Sequence, residues 1–146
     1  MEKPVDKLTI EHSQVKAQRF LRAALSKKAL RPILLRLEKI TPITDYFLIV
    51  SGRSARHTKS IAEAIIEEAH VDGTIAYSIE GMSQGNWILL DFGEVIIHVF
   101  QDQAREFYDL EGLWSDAPQE TFPSDIIQDI EASGEMEDEE DEFFIS

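Results

Sequence analysis

The stretch NWILLDFGEVIIHVF, residues 86–100, decides the fold. Two apolar runs flank Phe92-Gly93, which is the pattern of a β-hairpin. With Phe92-Gly93 as the turn, Asp91 faces Glu94, Leu90 faces Val95, Leu89 faces Ile96, Ile88 faces Ile97 and Trp87 faces His98. One face then carries Ile88, Leu90, Val95, Ile97 and Val99, all aliphatic, and is the core side. The other carries Trp87, His98, Leu89, Ile96, Asp91 and Glu94. An indole and an imidazole among aliphatics, with acids at the turn, have the composition of a binding hot spot. A face covered by a helix, with Trp87 as ordinary core, has the same composition, and the residues leave both readings open.

Outward from the hairpin, Tyr46–Val50 is a continuous apolar run, as expected of a central strand buried on both faces. Before it, Ile33–Ile40 alternates as a strand, and residues 12–30 carry Phe20, Leu21, Ala24 and Leu25 at helical spacing. Pro32 ends that helix by disfavouring the α conformation at Arg31. After Ser51-Gly52, Ser54 is an N-cap for a helix to about His70 with Ile61, Ala62, Ile65, Ile66 and Ala69 as its buried stripe. Thr74–Glu80 alternates again, with Ile75, Tyr77 and Ile79 on one side. A last helix begins near Asp102 and carries Phe107, Leu110 and Trp114, reading by default as a closing element of the core. The expected architecture is α/β: a mixed sheet of about five strands flanked by helices.

The charge is divided along the chain. The net charge is −14 over 146 residues, yet from Asp116 onward there are 12 acids and no Lys or Arg. Thirteen of the 14 basic residues lie at or before Lys59, so the N-terminal half is basic and the end acidic. Such a split suits a partner that reads charge, or simply solvated helix faces. The composition divides the chain into an N-terminal arm (1–12), an α/β domain (13–116) and an acidic tail (117–146) expected to be disordered. Ile126, Ile127 and Ile130 form a short amphipathic turn in that tail, but docking is not expected of it. There is no cysteine, and therefore no disulfide or thiolate metal site. The start, MEKPVDKL, lacks an apolar leader core and no run is long enough to span a bilayer, which points to a cytoplasmic protein.

A second candidate site is SGRSARH, residues 51–57, with Lys59 beyond. Arg53, Arg56, Lys59 and a protonated His57 sit at a helix start, where the macrodipole disfavours cations. A bound anion or partner carboxylate would reverse that sign; an exposed surface turn is the equal alternative. Strand–SGxS–helix is also the nucleotidyltransferase arrangement, which needs two or three convergent acids on divalent metal ions. No Asp-x-Asp pair follows on a strand, and no nucleophile triad, His pair or phosphate loop occurs, so neither catalysis, a metal nor a cofactor is expected. The residues alone also admit a residual nucleotidyltransferase, or an RNA-binding module built on the basic half.

Taken together, ITDYFLIVSGRSARH, then NWILLDFGEVIIHVFQ, then REFYDLEGLW resemble the ribosomal silencing factor family, also called Iojap-like. The resemblance covers about residues 13–116, and its most specific motifs are W-x-x-x-D-x-G-x-x-x-x-H and the closing FYDLExLW. It implies a nucleotidyltransferase-like fold without the catalytic acids, and no enzymatic activity. It further implies binding to a large-subunit ribosomal protein of the L-fourteen family, steric blocking of subunit joining, repression of translation when nutrients are short, and in some members a part in large-subunit assembly. Asp45, Tyr46, Gly52, Arg56, His57, Trp87, Asp91, Gly93, His98 and Tyr108 to Trp114, including Asp109 and Leu110, fall on family positions. The expected partner surface is Trp87, Leu89, Asp91, Glu94, His98, Asp45 and Tyr46, with a homodimer through the apolar sheet surface off the ribosome, no membrane and no sequence-specific nucleic acid. Arg36 stands where the family usually carries an acid, and the tail is expected to lie outside the family pattern.

Overall fold

The central strand is β2 (Tyr46–Gly52), every residue of which is buried in the computed structural model, which describes residues 7–122 and Ile126. It lies between β1 (Leu30–Arg36), antiparallel to it, and β5 (Val95–Gln101), parallel to it. β4 (Trp87–Asp91) and β3 (Ser78–Glu80) continue the sheet antiparallel, giving the order β1-β2-β5-β4-β3. Two helices, α1 (Lys7–Ser26) and α2 (Ala55–Val71), cover one face. Phe20, Leu21 and Ala24 of α1 and Ile61, Ala62 and Ile65 of α2 pack there on Leu48, Val50, Ile88, Leu90, Val95, Ile97 and Val99. At roughly 1.5–3 kcal/mol per fully buried large aliphatic, this layer supplies most of the driving force for folding.

The other face holds a smaller cluster: Leu35, Leu37, Phe47, Ile49, Ile96, Phe100 and Ala117. It is covered in part by α3 (Asp102–Tyr108) and the one-turn α4 (Leu110–Leu113). The mixed five-stranded sheet with flanking helices is therefore the architecture expected from the sequence.

Several local expectations change. The two strands of the hairpin keep their predicted faces but not their predicted register: Asp91 pairs with Ile96, Leu89 with His98 and Trp87 with Phe100. Glu94, expected on the Trp87 face, turns to α1 instead. The two-residue loop is Gly93-Glu94, closed by the Phe92 N–H donating to the Val95 carbonyl at 3.0 Å. Gly93 has φ +85°, as the first position of a II′ hairpin requires, and the Asp91 carboxylate accepts its N–H at 2.8 Å. Phe92 is thus no turn residue; it is buried and stacks on Phe20 at 4.7 Å.

Helix α1 begins at Lys7, inside the expected arm, and ends at Ser26 rather than Leu30. Pro32 lies within β1 instead of before a strand. It is tolerated because β1 is an edge of the sheet, with a register shift between Leu30 and Ile33 and Arg31 at φ 48°. β1 stops at Arg36: the Leu37 N–H still donates to the Asp45 carbonyl opposite, but the Leu37 carbonyl accepts from Ile40 and Thr41 and turns the chain away. Only Ser78–Glu80 of the expected Thr74–Glu80 strand pairs, leaving Ile75, Tyr77 and Ile79 exposed.

The boundary expected at residue 117 also moves. Pro118 accepts from the Arg36 N–H at 2.9 Å, Glu120 donates to the Leu34 carbonyl at 2.8 Å, and Gln119 bridges Leu35. Ala117 is buried on one face of the sheet, whereas Phe122 and Ile126 join the core on the other. The segment wraps the β1 edge and closes a row of backbone groups that would otherwise invite strand addition. Ile126 is docked, against expectation; Ile127 and Ile130 lie outside the described residues, as does the rest of the expected tail.

Candidate partner-binding site

Trp87 stands at the start of β4, at the same end of the sheet as Gly52 and Gln101. It is half-buried. Its ring packs between Phe100 and Tyr108, both with centroids at 4.8 Å. Its Nε1–H donates to His98 Nδ1 at 3.1 Å. The indole is therefore held from below and behind, with one part of its surface open. Tyr108 is 53% exposed, and Phe107 beside it, in edge contact at 5.1 Å, is 81% exposed. The open surface is a short aromatic run, Phe107–Tyr108–Trp87, bordered by half-buried Leu89.

His98 lies beneath this run and is 4% exposed. It touches Phe47 edge-on at 4.6 Å. Burial pushes its pKa down to about 4, so the ring is neutral at physiological pH. With Nδ1 accepting from Trp87, the proton sits on Nε2, which has no hydrogen-bond partner among the described residues. His98 thus supports the surface and does not belong to it, which corrects its expected place in the contact set.

The other expected contact residues divide. Tyr46 is 1% exposed and packs on the helix-covered face, so it is a core residue. Burial first, then the nearby Glu120 and Glu38, raises its hydroxyl to about 12. Asp45 and Glu94 converge on Ser13 of α1, whose hydroxyl donates to both at 2.5 and 3.1 Å. Glu94 also pairs with Lys16 at 2.8 Å. Asp91 caps the hairpin loop. These acids are already engaged within the fold, and only Trp87 and Leu89 of the expected set join the aromatic surface.

The closing motif is two short helices rather than one. Asp109 adopts φ 45°, ends α3 and caps α4 by accepting from the Gly112 N–H at 3.2 Å. This break sends Leu110 and Trp114 back onto the sheet, with Trp114 edge-on to Phe47 at 5.5 Å. It leaves Phe107 pointing outward, contrary to the expected Phe107–Leu110–Trp114 stripe.

Arg105 is a site residue that sequence reasoning missed. It is 3% exposed, donates to Ser51 Oγ at 2.9 Å and to the Arg31 carbonyl at 2.7 Å, and pairs with Glu111. Burial lowers its pKa, opposed by the Glu111 contact. It ties α3 to β1 and β2 and so fixes Phe107 and Tyr108. Its one sequence signal is that it is the lone basic residue after Lys59.

At the second candidate site, Ser54 Oγ caps α2 by accepting the His57 N–H at 3.1 Å. His57 Nδ1 accepts the Arg53 N–H at 3.0 Å, while Nε2 donates to the Lys27 carbonyl at 2.7 Å. With both ring nitrogens engaged by backbone groups, His57 is a brace between the β2–α2 turn and the loop after α1. Gly52 is required here, because a Cβ would stand 2.9 Å from Thr58 Cγ2 and 3.0 Å from its backbone nitrogen. Arg53 and Arg56 are exposed and Lys59 is half-buried.

The description "ribosomal silencing factor during starvation" is that of the family model that matches residues 10–143. The chain belongs to the ribosomal silencing factor family. The matched range extends through the acidic segment, correcting the expectation that the tail lies outside the family pattern. The ribosomal silencing factor of Bacillus subtilis is 40% identical over 97 residues, 66% of this chain and 82% of that one. A mouse protein named for mitochondrial assembly of the ribosomal large subunit is 32% identical over 102 residues, 60% of this chain and 44% of its own length. A crystal structure from Bacillus halodurans superposes with a TM-score of 0.68 at 33% identity, covering 75% of this chain and 99% of that one. The family's description is that of a ribosomal silencing factor, and the large ribosomal subunit is named in the description of the mouse relative. Among the described residues no helix is long and apolar enough to cross a membrane, and no cluster of His, Asp and Glu could hold a metal ion.

Proposed function

We propose that this chain docks through the Phe107–Tyr108–Trp87 surface onto a large-subunit ribosomal protein of the L-fourteen family and blocks joining of the small subunit. The observation that carries this reading is the half-open indole of Trp87, braced by Phe100, Tyr108 and His98. A rigid aromatic anchor with its polar edge already satisfied loses little entropy or solvation on docking, which is how a few residues dominate an interface. Repression of translation then follows from bulk, without a chemical step, and the protein is not an enzyme. It works in the cytoplasm, where large subunits are met, and off the ribosome the same apolar surface pairs two copies. A part in large-subunit assembly is supported by the name of the mouse relative.

Purified small and large subunits mixed with excess protein test this by sucrose-gradient sedimentation. The expected result is large subunits carrying the protein and a fall in joined particles. Full joining with the protein bound would overturn the steric reading.

A further inference from the structure

Two apolar surfaces of the fold stand open, and one apolar segment of the chain is at odds with its surroundings in the sequence. The first surface is Phe107–Tyr108–Trp87, with Phe107 and Tyr108 exposed and Trp87 half-buried. The second is the β3 edge, where Ile75, Tyr77 and Ile79 are exposed. The segment is Phe143-Phe144-Ile145, which lies outside the described residues and directly follows seven acids in the eight positions 135–142. Composition of that acidic kind goes with few large aromatics, so two phenylalanines and an isoleucine beside it call for a contact.

Reach does not limit which surface the segment meets. Ile126 is docked in the core, and Phe143 follows it by seventeen residues. Extended at about 3.3 Å per residue they span roughly 56 Å, more than the ~35 Å across a domain of this size. Charge then separates the two surfaces. β3 carries the exposed Glu80, and its Ser78 pairs with Asp91 of β4, so an acidic run is repelled there. The aromatic surface lies instead at the end of the sheet where α2 begins: Thr58 of its first turns donates to the Gly85 carbonyl, two residues before Trp87, at 2.6 Å. That end holds Arg56 of α2 and Lys27, whose carbonyl accepts from His57. Both are exposed and have no carboxylate partner among the described residues. Charge complementarity therefore selects the aromatic surface.

We infer that Phe143, Phe144 and Ile145 cover the Phe107–Tyr108–Trp87 surface of their own chain while the protein is free of its partner. The acids before them then lie towards Lys27 and Arg56. The contact is intramolecular, so the linking residues supply an effective concentration of about millimolar and a weak contact suffices. A second copy competes for the same surface, so the covered monomer and the pair proposed above are alternatives set by concentration. In its consequence the inference rests on the docking proposed above: the ribosomal protein must displace the segment, and its apparent affinity falls with the fraction of molecules left open. Covering acts on affinity alone and leaves the blocking of subunit joining at saturating protein unchanged.

The test compares the full chain with the combined variant Phe143→Ser, Phe144→Ser, Ile145→Ser. Amide NMR is recorded on the two free proteins, and calorimetry measures each against the isolated L-fourteen-family ribosomal protein. Amide shifts are expected to differ at Trp87, Phe107 and Tyr108, and the difference should persist on dilution. The ribosomal protein should bind the variant about threefold more tightly, the gain expected if two molecules in three are covered. Unchanged shifts across the aromatic surface would overturn the inference. Shifts at Ile75, Tyr77 and Ile79 instead would assign the segment to the β3 edge, and shifts that vanish on dilution would assign it to a second copy; either also overturns it. The NMR arm contains no ribosomal protein, so its failure leaves the docking reading standing. A ribosomal protein that binds neither chain, with the shifts as expected, counts against the docking reading alone.

Discussion

The indole N–H of Trp87 points into the protein, to Nδ1 of His98 at 3.1 Å, and away from any partner. What faces solvent is the apolar part of the ring. The pair also sets a protonation state: His98 can accept this hydrogen bond only while neutral, and burial lowers its pKa to about 4.

Stability should therefore depend on His98 in acid. The unfolded imidazole has a pKa near 6.5 and the folded one about 4, so the unfolded state binds the proton first. The contribution is complete above pH 6.5 or so and fades as pH falls towards 4, amounting to about 3 kcal/mol across that window. Urea unfolding of the wild type and of His98→Phe at several pH values reads it out. The variant is expected to lack this component of the slope, and parallel profiles would place the acid sensitivity elsewhere.

Arg105→Met should destabilise the domain by about 2–3 kcal/mol, because Ser51 Oγ and the Arg31 carbonyl lose their buried donor. It should also weaken large-subunit binding, since Tyr108 and Phe107 hang on the helix that Arg105 anchors. Thermal melting and co-sedimentation together separate the two effects; a normal melting temperature would show that the anchor is dispensable.

The C-terminal segment has two parts that truncation can tell apart. A cut after Asp116 removes Ala117, Phe122 and Ile126 from the two clusters and uncovers the β1 edge. Loss of about 3 kcal/mol and a tendency to associate are expected, read by melting and light scattering. A cut after Glu131 keeps the wrap and removes seven of the acids, so stability should be unchanged. If those acids repel the phosphate-rich small subunit, this shorter form should also be a weaker anti-association factor at low salt and equal at high salt.

Asp109→Ala should cost about 1 kcal/mol or more, since it removes the cap of α4 and places alanine at φ 45°. Asp109→Gly, which tolerates that φ, should recover part of the loss. Chemical denaturation of the two variants checks the order.

Period and parity carried much of this fold in the sequence. The alternation assigns the strand residues 87–91 and 95–100 to their correct faces, because a two-residue error of register leaves parity untouched, whereas Glu94, in the loop, turns from the Trp87 face to α1. The error itself came from Phe92, which beside Gly93 reads as a turn but is held by Phe20 on a distant helix. The wrap over β1 was hidden for a different reason: Pro118 and Glu120 bind through backbone groups, which leave no mark in composition. At the site, Trp87 was legible and its neighbours less so. Phe107 faces outward because Asp109 breaks the helix, and a motif read as one continuous helix places it inward. Asp45 and Tyr46 sit on family positions and Glu94 adjoins the family's Gly93, yet all three serve the interior, so the pattern marked this region without distinguishing support from contact.

The most direct test is the affinity of Trp87→Ala for the isolated L-fourteen-family ribosomal protein, measured by calorimetry with circular dichroism as the check on folding. The account predicts a loss of at least about tenfold, with the domain folded and about 2–3 kcal/mol less stable. A folded variant that binds as tightly as the wild type would contradict it.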